Sequence, residues 1–182
     1  MNKLLILLFS FLLSRLAMVF IGSFTEGALA SPVGCGLYIL LFLLFSPKEG
    51  IKKAHIGFGQ SIFIVISFLL ISLGVSSIVG IFQAPDKREL SVLYGVIVVL
   101  FVPLAEELFF RATLFATLNS LTTPMVSVMV SSLIFSMAHT GVASMIVAFI
   151  LGILLTCIYK RTGGIRIPFI CHALNNLLAF LF

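Results

Sequence analysis

IFIVISFLLISL, residues 62–73, is apolar for about three helical turns and is interrupted only by Ser67 and Ser72. LLILLFSFLL, residues 4–13, repeats the pattern near the N-terminus. A strand of a membrane barrel would alternate lipid-facing and lumen-facing residues, and neither stretch does so. Within a bilayer every backbone N–H and C=O must be satisfied by the protein itself, which leaves the helix as the reading. The rest of the chain agrees. Of 182 residues, 61% are hydrophobic and 9% charged, too little polar surface to cover a globule in water. The expected fold class is therefore all-α, a polytopic membrane helix bundle.

At about 20 residues per span the chain accommodates about seven transmembrane helices, near 4–24, 30–46, 57–82, 89–119, 123–139, 142–160 and 166–182. Ser46-Pro47 with Gly50, Ala84-Pro85-Asp86, Thr122-Thr123-Pro124, Thr140-Gly141 and Thr162-Gly163-Gly164 punctuate the apolar runs. Residues 1–88 would supply about three helices and residues 89–182 a four-helix core. Ala28-Leu29-Ala30 has the form of a signal-peptidase site, but Arg15 interrupts the preceding run, which favours an uncleaved first span.

The net charge is +5, and the basic residues lie mostly in short connections without interleaved aromatics, a topogenic pattern that argues against nucleic acid as a partner. Lys3, Lys48, Lys52, Lys53, Lys160, Arg161 and Arg166 fall on one side of the predicted topology, with only Lys87 and Arg88 on the other. The N-terminus is expected to be cytoplasmic, with membrane lipid as the surrounding partner. Cys35, Cys157 and Cys171 show no metal-ligand spacing and read as small apolar residues.

Ionisable residues at membrane depth are the informative ones, because each costs at least a few kcal/mol there. Ala105-Glu106-Glu107-Leu108-Phe109-Phe110-Arg111 holds three of them. Helical geometry puts Glu107 and Arg111 on one face as a pair and rotates Glu106 away, leaving it available as a general base. Phe135-Ser136-Met137-Ala138-His139 and His172-Ala173-Leu174-Asn175-Asn176 follow. His172 and Asn176 share a helix face, with Asn175 rotated off it. A hairpin turning near Thr122 would bring Glu106 and His139 to one depth, whereas His172, about 8 residues past the Gly163-Gly164 turn, reaches that depth only if the hairpin protrudes or tilts. Taken singly, the glutamates and Arg111 read equally well as a structural ion network, His139 as a helix-end residue, Arg15 as a snorkelling side chain and His55 as a solvated loop residue.

Taken in order, Glu106-Glu107-x-x-x-Arg111, Phe135-x-x-x-His139 and His172-x-x-x-Asn176 resemble the three motifs of the CPBP (Abi) family of intramembrane proteases, the group of type II CAAX prenyl endopeptidases and bacteriocin-processing enzymes. The resemblance covers about residues 90–182; Ala112 stands where the family often has glycine. It implies that Glu106 and His139 activate a water, that His172 and Asn176 form an oxyanion hole, and that Glu107 and Arg111 support Glu106. Glu106, His139 and His172 could also ligate zinc, although H-E-x-x-H is absent and the metal-free reading is preferred. The implied substrate is a membrane-anchored protein or a peptide, and the very short loops make a prokaryotic plasma membrane the expected setting. A non-enzymatic immunity or scaffold protein and a small proton-coupled transporter are the competing readings.

Overall fold

The computed structural model describes residues 56–79 and 92–181. The expected spans near 4–24 and 30–46, together with Arg15, Cys35, His55, Lys87 and Arg88, lie outside the described residues.

Every element among the described residues is helical. Helix α1 is Phe58–Val79. A continuous rod, α2, follows from 92 to 121; α3 is Pro124–Ser136, α4 Val142–Thr162 and α5 Arg166–Leu181. By length and hydropathy, α1 and α4 can each cross a bilayer. Among the described residues none hides the outer face of α1: Phe58 (84%), Phe63 (73%) and Ile78 (87%) are all largely exposed. A run of exposed large apolar side chains on so apolar a helix is what a lipid-facing surface requires and what a water-facing one avoids.

The rod was expected to be a plain α-helix over 89–119. Instead Val92–Val96, Val102–Glu106 and Ala116–Leu121 are α-helical, while Ile97–Phe101 and Glu107–Phe115 are wound as π-helix, and the junctions keep right-handed helical dihedrals. A side-chain bond follows the wider register in the second π segment, where Thr113 Oγ1 donates to the Leu108 carbonyl at 3.0 Å. All nine residues of that segment are buried.

Thr123 caps α3 by accepting from the Val126 N–H, and Pro124 opens the helix where a missing N–H costs nothing. The helix stops at Ser136, three residues short of the expected end. His139 thus sits in the turn beyond it, where the Ala138 and His139 N–H groups bond back to Phe135 and Ser136. Gly163, at φ 73°, closes α4 in the left-handed conformation that glycine tolerates best.

Helices α3 and α4 pack most intimately, through small residues that let their backbones approach. At Gly152 an added Cβ would lie 3.1 Å from the Phe135 ring and 3.3 Å from the Ser132 backbone. Gly152→Ala should therefore destabilise the bundle by about 1–3 kcal/mol through overpacking. Gly74→Ala on α1, with open space around it, should be neutral or mildly stabilising. Unfolding midpoints in detergent check the pair, and equal shifts would refute the close approach at Gly152. Helix α1 packs on α4 and α5 through Phe68, Leu151, Leu155 and Cys171, while α2 packs through Phe109, Phe110 and Leu114 toward Phe135.

Candidate active site

Glu107 and Arg111 pair as the sequence implied, with Arg111 Nη1 donating to Glu107 Oε1 at 2.9 Å and both side chains almost fully buried. The guanidinium also lies over the face of Phe135, 4.4 Å from the ring centre, and its Nη2 reaches the Gly152 carbonyl at 3.5 Å. A cation held between a carboxylate and an aromatic face is stabilised on two sides.

Glu106 is rotated away from Arg111 but is not left without a neighbour: its Oε2 lies 3.5 Å from His172 Nε2. The other ring nitrogen of His172, Nδ1, is 2.9 Å from Glu107 Oε1. The third motif thus meets the first directly, and His172 sits between the two glutamates. Glu107 Oε1, paired with the Arg111 guanidinium, accepts, so a hydrogen belongs on His172 Nδ1, and in the neutral ring the lone pair at Nε2 then faces Glu106.

His139 obeys the same logic. Its Nδ1 lies 3.2 Å from the Phe135 carbonyl, an acceptor, which places a hydrogen on Nδ1. Both imidazoles stand edge-on to the Phe135 ring, with centroid separations of 5.0 Å for His139 and 5.8 Å for His172. They line one cavity, together with Asn175 and Asn176. Phe135 therefore touches three members of the constellation: Arg111 over its face and the two histidines in T-shaped contacts. Sequence reasoning quoted this residue within a motif and gave it no role; its four-residue spacing to His139 was the available signal.

Asn176 has a structural attachment that spacing could not reveal. In the i→i−5 register set by the Val102 N–H bonding to the Ile97 carbonyl, the Val98 carbonyl would take its donor from residue 103, a proline with no N–H. Asn176 Nδ2 supplies that donor at 3.0 Å, tying α5 to the π segment just ahead of the glutamates. Asn175 is tied the other way, its Oδ1 accepting from Ser72 Oγ on α1.

An imidazole anchored at Nδ1 with a lone pair at Nε2 is also what a metal site uses. Among the described residues, however, no three His, Cys, Asp or Glu side chains gather so that they could hold an ion.

The chain is similar to three known bacterial proteins. YdiL of Bacillus subtilis (strain 168), provisionally named a membrane peptidase, is 26% identical over 160 residues, covering 79% of this chain and 66% of that protein. YxdF of Lactococcus lactis, a UPF0177 protein, is 32% identical over 114 residues, covering 62% and 59% of the two chains. The membrane-embedded CAAX protease MroQ of Staphylococcus aureus is 27% identical over 148 residues, covering 74% and 59%. The chain spans about three fifths to two thirds of the length of these relatives. No solved structure matches it. The Rce1-like family of type II CAAX prenyl endopeptidases matches residues 88–178, which is half of the chain and contains all three motifs, and the protein belongs to that family of membrane proteases.

Proposed function

We propose that this protein is an intramembrane endopeptidase that hydrolyses a peptide bond in a membrane-anchored protein or lipid-proximal peptide, using a water activated at Glu106. The observation that carries this reading is the contact between Glu106 and His172 Nε2, with Glu107 fixing the far side of the ring. Two acceptors 3.5 Å apart can both lie within hydrogen-bonding distance of a single water. Glu106 takes the water's proton as its oxygen adds to the substrate carbonyl, and later gives that proton to the departing amine.

His139, anchored on the Phe135 carbonyl and lining the same cavity, helps hold the water, the role that the family resemblance implies for it. With Glu107 holding the neutral ring of His172 in its Nδ1–H form, Nε2 accepts and the developing oxyanion falls to amide donors. Asn176 keeps one N–H after bonding Val98, and Asn175 lines the cavity beside it. Glu107 and Arg111 hold the tautomer and position of His172. No step requires a metal, so activity should persist in the presence of chelator.

The direct test is incubation of the purified chain in detergent with a proteome-derived peptide library, with products identified by mass spectrometry. Wild type should cleave, and Glu106→Ala and His139→Ala should not. Undiminished cleavage by both variants would remove the mechanism.

A further inference from the structure

Two main-chain donors further along the rod could serve the Val98 carbonyl, and neither does. The Val102 N–H, which the ordinary α-helical register would bring to it, bonds the Ile97 carbonyl instead, and Pro103, next in line in the wider register, has no N–H. The Asn176 amide on α5 fills that role at 3.0 Å. A second contact holds the same two helices together: a Cβ added at Gly95 would lie 2.8 Å from the Phe180 ring. Asn176 and Phe180 stand four residues apart on α5, and Gly95 and Val98 three apart on α2, so both contacts join the same two faces.

We propose that Pro103 is a positioning residue for the peptidase reaction: by withholding an N–H from Val98 it reserves that carbonyl for Asn176, whose amide is thereby fixed at the cavity that His139 and His172 line. The inference rests on the peptidase reading and adds to it a residue that touches no substrate. A proline inside a helix ordinarily breaks it, because a carbonyl loses its donor and the ring crowds the preceding turn. Here the chain approaches the ring as π-helix, Ile97–Phe101, and α5 supplies the donor, so the rod continues. Pro103 also shares the short α segment Val102–Glu106 with Glu106 itself, which places the missing donor in the segment that carries the base. An amide that donates one N–H to a fixed carbonyl has its plane fixed, and its second N–H is oriented before substrate arrives.

The test returns the missing N–H. Pro103→Ala and Pro103→Val, made in the full chain, give Val98 a main-chain donor, the first with less bulk than the ring and the second with comparable bulk. Unfolding midpoints in detergent are measured for each variant alone and combined with Asn176→Ala. Asn176→Ala by itself strips the Val98 carbonyl of its donor and should lower the midpoint. In either position-103 variant the carbonyl keeps a donor, and that loss should shrink to about half or less. Thr162→Ala removes a hydroxyl bonded to the Ile158 and Gly164 carbonyls at the turn between α4 and α5, and should lower the midpoint equally in every background. On a peptide that wild type cleaves, both position-103 variants should lose about tenfold in kcat with KM within about twofold, short of the roughly 10²–10³-fold that follows outright removal of an oxyanion donor. A proline that only filled space would lower the midpoint and leave kcat of the folded enzyme unchanged. Equal losses from Asn176→Ala in all backgrounds, wild-type kcat in both position-103 variants, or failure of both to fold overturns the proposal. Coupling of Asn176→Ala to Pro103→Ala in a chain that cleaves no peptide overturns the peptidase reading instead and leaves the pairing of the two residues standing.

Discussion

Glu106→Gln is expected to lower peptide hydrolysis by about 10²–10⁴-fold, the range associated with removing a positioned general base, while leaving the fold in place. Glutamine keeps the volume of the side chain and an oxygen toward His172, so the contact across 3.5 Å is changed in charge and not in shape. Glu107, Arg111 and Phe135 are untouched, and with them the anchor on His172 Nδ1. The unfolding midpoint should stay within about 1 kcal/mol of wild type, as for a substitution that creates neither a cavity nor an unpaired charge. Initial rates on a peptide identified from the library, measured beside an unfolding curve in the same detergent, check both halves. Wild-type rates for Glu106→Gln would assign the proton transfer to another group. A variant that loses its peptide-dependent phenotype in cells but keeps its fold would also separate the enzyme from an immunity protein, which needs no base.

The features legible in the sequence were those set by composition and by short-range spacing. Apolar runs such as residues 62–73 identified a helix now seen as Phe58–Val79, and Thr122-Thr123-Pro124 marked the hairpin where α2 ends and α3 begins. The Glu107–Arg111 pair followed from a four-residue separation, which remains on one face in the wider π-helical turn. Depth counting did not anticipate how directly His172 meets both glutamates, because it assumed uniform α-helical rise and the rod contains two π segments. Asn176 was read as a free donor because nothing local shows that Pro103, more than seventy residues earlier, leaves the Val98 carbonyl in need of one. Asn175 was set aside as rotated off the His172 face, a correct statement about the helix that overlooked Ser72 waiting on α1. Each miss is a long-range partnership between polar groups, which periodicity does not encode.

Removing one member of the Glu107–Arg111 pair should be the most destabilising single change in the described residues, about 3–5 kcal/mol for either Glu107→Ala or Arg111→Ala. Both side chains are essentially inaccessible, so whichever charge remains is left in an apolar interior with no solvent to turn to. The pair is also incompletely satisfied, since Glu107 Oε2 and Arg111 Nε are buried without hydrogen-bond partners among the described residues. A pair that leaves polar atoms unmatched gains less from its own attraction, so replacing both members by apolar side chains of similar volume should cost less than removing one. The double variant Glu107→Leu/Arg111→Met is therefore expected to unfold later than either alanine variant in SDS titrations, close to wild type or above it. It should nonetheless be inactive, because His172 loses the acceptor that fixes its Nδ1 hydrogen and the ring is no longer held with Nε2 toward Glu106. Stability restored without activity is the signature of a charge pair kept for orienting a catalytic ring rather than for holding helices together. Additive losses in the double variant would instead mean that each residue acts through separate contacts, and full activity in it would mean that His172 needs no anchor.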